Sequence, residues 1–338
     1  MPREAVRVPA AGSVAISDIV GIKERTLAQR LFGSQAFWVA ISVAVIMLLM
    51  SLRYPDQYGT QENFYNITRN FSFIGIMALG MTAVIITGGI DLSVGAVIGF
   101  TGVVISLLLT SDVPIWAAIV VTLMVGVAIG AFHALGVTRL GLPPFIMTLA
   151  TLTALRGVGL LVTNGASISG LPDAFTGFST GTFLELPNLF WMVVLVAVPG
   201  YVLLSHTRWG RYLFAIGSNA EAARLSGVNV PRTIYMAYIL SATLAAFAGI
   251  LVTSRIGIGN ATTLNGFELQ AIAASVIGGT SLFGAVGSIQ GPLLGSFVLS
   301  TINNGANLLN VNAFWQQIIT GLLIIVIVYF DQLRRRRR

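Results

Sequence analysis

The stretch PIWAAIVVTLMVGVAIGAFHALGV, Pro114–Val137, runs for 24 residues without a charged side chain and is followed two residues later by Arg139. A helix rises about 1.5 Å per residue, so about 20 apolar residues cross a bilayer's hydrocarbon core. Comparable runs recur from Phe37 to Phe330. Ten segments emerge, at about 36–53, 70–88, 92–110, 114–137, 143–163, 187–206, 233–254, 267–281, 285–305 and 312–330. The eighth is short and ends in glycines, so it reads either as a span or as a re-entrant half-helix. The expected fold is an all-α polytopic membrane protein of about ten transmembrane helices.

Composition agrees. The 338 residues are 55% hydrophobic and 9% charged, with a mean hydropathy of +0.86, whereas soluble domains carry about 25% charged residues. The absence of cysteine excludes disulfides, thiolate catalysis and cysteine metal sites. His133 and His206 stand far apart in sequence without an obvious ligand set and read as structural or interfacial.

The basic residues test the topology, because Lys and Arg collect on the cytoplasmic side. Ten spans with both termini inside place Arg3, Arg7, Lys23, Arg25, Arg30, Arg139, Arg208, Arg211, Arg224, Arg232 and Arg334 to Arg338 in the cytoplasm. Arg53, Arg69 and Arg255 fall outside, and Arg156 lies within a span. The expected organisation is a cytoplasmic tail over 1–35, a transmembrane domain over 36–330 and a basic cytoplasmic tail over 331–338. The polar N-terminal stretch lacks an early apolar run and a small-residue cleavage site, so it reads as a retained tail. The loop 164–185 has no Lys or Arg, carries Asp173 and Glu185, and suits an irregular outer loop.

One interruption in this apolar chain stands out: SNAEAARLSGVNVPR, Ser218–Arg232, inside a cytoplasmic loop of about 207–232. Ser218 and Glu221 have capping-box spacing, Gly227 can end a helix in the left-handed conformation, and Pro231 cannot continue it. A helix of about eight residues is too short to be stable alone in water. Ala222, Ala223 and Leu225 offer it a low apolar face for a partner. The competing reading is a helix lying on the membrane, with its basic flanks toward lipid phosphates.

EAARLSG, Glu221–Gly227, resembles the EAA-x-x-x-G loop of the permease subunits of bacterial ABC importers. GGIDLSVGA at 88–96, LPPFIMTLATLTALRG at 142–157 and GRYLFAIGSNAEAARLSGV at 210–228 resemble the ribose/xylose/galactose-type branch of sugar permeases. So do GFELQAIAASVIGGTSLFGAVGSIQGPLLG at 266–295 and NLLNVNAFWQQIITGLLII at 307–325. The resemblance covers about 50–330. It implies an inner-membrane permease for a monosaccharide, working with a cytoplasmic ATPase subunit, an extracytoplasmic sugar-binding protein and a second permease subunit. It also implies ATPase coupling through Ser218, Glu221, Ala222, Ala223, Leu225 and Gly227.

The chain carries no cofactor motif and no motor of its own. A phosphate-cradling loop needs a lysine in a glycine framework, and the single lysine, Lys23, lies in GIKER. Nor is there a spacing that suggests catalytic residues, so no enzymatic activity is expected. A secondary transporter driven by protons or sodium remains the alternative, with Asp91, Arg156 and Glu268 as a relay.

Other residues keep two readings. Asp91 either caps the third helix or acts in the pathway or its gate. Arg156 snorkels or pairs with a carboxylate such as Glu268. Asn303, Asn304 and Asn307, with Asn310 and Asn312, form a polar turn or line a path for hydroxyl groups. Finally, GGIDLSVGAV at 88–97 echoes GGTSLFGAV at 278–286, and both are expected on the same membrane side.

Overall fold

The computed structural model describes residues 35–336. They form thirteen helices and one minimal hairpin: α1 Gln35–Arg53, α2 Gln61–Ile86, α3 Val94–Thr110, α4 Ile115–Thr138, α5 Pro144–Thr163, α6 Asp173–Thr180, the strands β1 Thr182–Phe183 and β2 Leu186–Pro187, α7 Asn188–His206, α8 Arg208–Ser218, α9 Ala220–Leu225, α10 Val230–Ile256, α11 Phe267–Ile277, α12 Gln290–Leu308 and α13 Ala313–Arg336. The N-terminal tail expected over 1–35 lies almost wholly outside the described residues. The basic tail expected from 331 begins as a continuation of α13.

Among the described residues, five helices, α2, α4, α5, α7 and α10, have the length and apolar composition to cross a membrane. Their roles differ. α2 is the axial helix, with 94% of its apolar window buried, and α10 is 67% buried. α4, α5 and α7 keep most of their surface outward, at 28%, 28% and 17% buried. A helix apolar on all sides suits either place, so only packing separates the centre from the rim. Around α2 stand α10, α12, α11 and α7, and α3 packs against α10 and α5.

Lipid tails are as apolar as leucine, so apolar burial drives helix association weakly in a bilayer; close packing and hydrogen bonds take its place. The seam between α4 and α10 shows this. Gly126 and Gly130, four apart, face Ala246 and the backbone at Tyr238 and Ile239, with no room for a methyl group. Thr82 and Ser275 link α2 to α11 through their hydroxyls, 3.2 Å apart.

The structure resolves the eighth segment as a half-helix. At 11 residues, α11 is about 16 Å long, half of what a crossing needs. It starts at Gly266, whose φ is +87°. The irregular segment before it lies against α3, where Gly99 abuts Ala261 and Gly259 abuts Ser106. Irregular backbone at membrane depth is tolerated where protein covers it.

The second helix starts well before the expected residue 70. Thr60 caps it by accepting from the Asn63 amide at 3.2 Å. Its first turns look polar in sequence, but Arg69 is buried and donates to Glu62 at 3.1 Å and to the Thr180 carbonyl at 3.1 Å. The loop expected on the outer face, after α5, also holds more order than expected. It contains α6 and the hairpin, and an isolated bridge joins Ile168 to Gly259.

Candidate docking site

The loop between α7 and α10 holds two helices rather than one. α8 is amphipathic, with Gly210, Leu213 and Ile216 buried and Arg208, Arg211 and Tyr212 exposed. Sequence reading missed it, although Thr207 signals its start by accepting from the Gly210 amide at 3.3 Å.

The short helix α9 has six residues, Ala220–Leu225, and its cap differs from the expected one. Ser218 is the last residue of α8, so the capping box with Glu221 does not form. Asn219 Oδ1 instead accepts from the Glu221 and Ala222 amides, both at 3.0 Å. The physical reason is that Ser218 is already committed to the last turn of α8. An N-cap needs extended backbone, and Asn219 has it, with φ −161° and ψ 104°. The other end is as expected. Gly227 has φ +85°. Val228 N–H donates to the Ala223 carbonyl and Gly227 N–H to the Arg224 carbonyl, both at 3.0 Å, which is the Schellman pattern.

The apolar face splits. Ala223 turns inward and is 5% exposed, whereas Leu225 stands 78% exposed beside exposed Ala222. Glu221 pairs with Arg224 one turn on, both in solvent. The hydrogen bond from Arg224, with the guanidinium charge behind it, holds the Glu221 carboxyl below the usual carboxylate range. The result is a small, capped helix that presents Leu225 and an ion pair outward.

Asp91 lies in the segment between α2 and α3 and is fully buried. Its Oδ1 accepts from the Ser93 amide at 3.0 Å and the Ser93 hydroxyl at 2.6 Å. Its Oδ2 accepts from the Ser241 hydroxyl of α10 at 2.8 Å. The carboxylate thus acts two residues ahead of Ser93, the residue at the N-cap position, and also ties the start of α3 to α10. Gly80 of α2, six residues or about 9 Å before that helix ends at Ile86, abuts Ser241 as well. His133 and Tyr238 complete this buried region, with ring centroids 6.1 Å apart.

The asparagines do not converge. Buried Asn304 donates to Asn63 Oδ1 at 2.8 Å, Asn303 donates to Gln270 Oε1 at 3.2 Å, and Asn307 accepts from Gln316 at 2.8 Å. Asn312 Oδ1 accepts from the Phe314 amide at 2.8 Å, near the start of α13. Arg156 meets Glu268 at 3.2 Å. Among the described residues, no three His, Cys, Asp or Glu side chains stand close enough to hold a metal ion.

These features, buried axial helices, a half-helix and a capped helix on a basic loop, describe a multi-pass membrane protein. The chain belongs to the family described as branched-chain amino acid transport system / permease component, whose profile matches residues 63–328. It is 39% identical to the ribose import permease protein RbsC of Escherichia coli (strain K12) over 295 residues, covering 86% of this chain and 92% of that one. The ribose import permease protein RbsC of Bacillus subtilis (strain 168) is also 39% identical, over 294 residues, with 86% and 91% covered. The xylose transport system permease protein XylH of E. coli (strain K12) is 32% identical, with 90% and 93% covered. No solved structure matches.

Proposed function

We propose that this chain is the membrane-spanning permease of an ATP-binding-cassette importer that passes a monosaccharide of the ribose, xylose or galactose kind across the bacterial inner membrane. The observation that carries this reading is α9: a six-residue helix, capped at both ends, that exposes Leu225 to water. An exposed leucine on a helix too short to stand alone implies a partner surface. The relatives named as ribose and xylose permeases support the substrate class.

The motor is a separate ATPase subunit that receives α9. Glu221, Ala222, Leu225 and Gly227 present or shape the docking face, and Ala223 anchors the helix to the protein. An extracytoplasmic binding protein delivers the sugar, and a second permease subunit completes the path. Both termini and the loop 207–232 face the cytoplasm, with ten crossings. The eighth is made by α11 together with the irregular segment before it. The opposite directions of α2 and α10, and the shared direction of α2 and α11, are supported by contacts at both ends. Arg255, at the end of α10, reaches Asn66 near the start of α2, and Ala285, beyond α11, reaches Ile86 at the end of α2. Asp91 serves in gating by fixing the start of α3. Asn303, Asn304 and Asn307 serve the pathway or its gate at the opposite end of the membrane domain.

The test is gentle purification from the native membrane, with co-purifying chains identified by mass spectrometry. The native chain should bring an ATPase subunit, and Glu221→Lys or Gly227→Asp should lose it while the membrane domain stays folded. Sugar uptake by vesicles that follows an ion gradient and ignores ATP would refute the reading in favour of a secondary transporter.

A further inference from the structure

The two glycine-rich echoes meet. The Ala285 amide, in the second echo, donates to the carbonyl of Ile86 at the end of α2, at 2.9 Å. Gly284 sits against the backbone of Ile86 and Gly88, and Gly287 sits against the Ile86 side chain. The turn that ends α2 and the turn between α11 and α12 are thus bonded together, although nearly two hundred residues separate them.

A third segment enters the same contact. Gly217, in the last turn of α8, lies so close that a methyl group on it would overlap both the Ile86 carbonyl oxygen and the Ala285 amide nitrogen. Its own carbonyl faces Gly284. Gly217 has a helical backbone and is not among the residues of positive φ. Backbone conformation therefore does not require glycine there; the close approach does.

No slack separates this contact from the docking helix. Asn219 is at once the C-cap of α8 and the N-cap of α9: its amide donates to the Ala215 carbonyl and its side chain accepts from Glu221 and Ala222. Two residues lie between Gly217 and the first residue of α9. Beyond the contact, one route leads through the turn to Asp91, which holds Ser93 and Ser241. The other leads directly into the half-helix α11 and into α12, where Gly278 and Gly291 touch backbone to backbone.

The geometry points to Gly217 as the positioning residue through which a displacement of α9 enters both discontinuous turns at once. A rigid lever needs a fulcrum without compressible side chains, and here three backbones touch directly. Backbones packed this closely move as one unit instead of deforming continuously. This inference rests on the importer reading above and adds the route by which the motor's movement reaches the membrane helices.

The test compares native protein, Gly217→Ala and a control, Gly321→Ala, which is helical with nothing near the added methyl. Each is assembled in vesicles with the ATPase subunit and the binding protein. Alanine is the better helix former, so a loss at 217 reports the contact and not helix propensity. Gly217→Ala should retain the ATPase subunit and hydrolyse ATP, but sugar taken up per ATP should fall about tenfold, with the control unchanged. Uptake per ATP equal to native overturns the proposal. Failure of the native chain to bind any ATPase overturns the importer reading itself, and the proposal with it. If Gly217→Ala does not fold, hydrogen exchange on the native complex decides. The amide of Ala285 should stay protected through ATP turnover; its exposure on adding nucleotide would mean that the contact opens, and would overturn the proposal.

Discussion

Arg156 of α5 and Glu268 of α11 are 112 residues apart in sequence and 3.2 Å apart in space. The pair ties the start of the half-helix to a rim helix. It sits in a tight place, because Gly95 of α3 lies against the other carboxylate oxygen, where any added methyl would collide. Glu268 Oε2 is buried and accepts no hydrogen bond, so Arg156 supplies most of the compensation for this carboxylate.

A double-substitution cycle checks this relationship. Arg156→Met and Glu268→Gln should show a coupling energy of about 1–3 kcal/mol in unfolding from mild detergent. Arg156→Met alone should be the more damaging single change, since it strands a buried charge. Additive single effects would refute the pairing.

The capping geometry of α9 makes a sharper contrast. Asn219→Ala should weaken the helix by about 1 kcal/mol, roughly a fivefold drop in affinity for the ATPase subunit. Ser218→Ala should change that affinity little, because Ser218 caps nothing. The reverse order in a binding titration would restore the capping box read from the sequence.

The Glu221–Arg224 pair has a defined pH dependence. The folded carboxyl titrates below its ordinary value of 4.5, held there first by the hydrogen bond from Arg224 and then by its charge. A depressed carboxyl contributes fully above the unfolded value and loses its contribution only as the pH falls through the folded one. An NMR titration of Glu221 should therefore give a midpoint below 4.5, and Arg224→Ala should move it upward. An unmoved midpoint would show that the pair does not form in solution.

Asp91 should be a stability residue before it is anything else. Asp91→Ala leaves the Ser93 amide and two hydroxyls without an acceptor in a closed core, at a cost of about 2–4 kcal/mol. Asp91→Asn keeps one acceptor oxygen and should cost less. Equal thermal unfolding of native protein and Asp91→Ala would contradict the buried network.

Much of this architecture was legible in the chain. Nine of the ten apolar segments correspond to helices longer than the half-helix α11, most within a few residues of their expected ends, because a bilayer demands long runs of one polarity. The left-handed stop at Gly227 was legible for an equally local reason: only the residue's own backbone is involved. The start of α2 was not. Glu62, Asn66 and Arg69 read as loop residues until Thr180 and Arg255 arrive from distant segments to pair with them. The cap of α9 was misread because α8 went unseen, and an amphipathic helix lacks the uniform apolarity of a span.

Sequence alone determined that the chain is a multi-helix membrane protein, where most of its apolar segments lie and that a small polar helix interrupts it. These follow from length, polarity and the local backbone preferences of Gly, Pro and Asn, which act within a few residues. Only the tertiary structure decided that α2 is the axis, that α11 is half a span, and that Gly217, Ile86 and Ala285 touch. In lipid every apolar helix satisfies its own backbone and is equally content at centre or rim. Which one goes where is settled by the few places where glycines let backbones meet and polar side chains find one another.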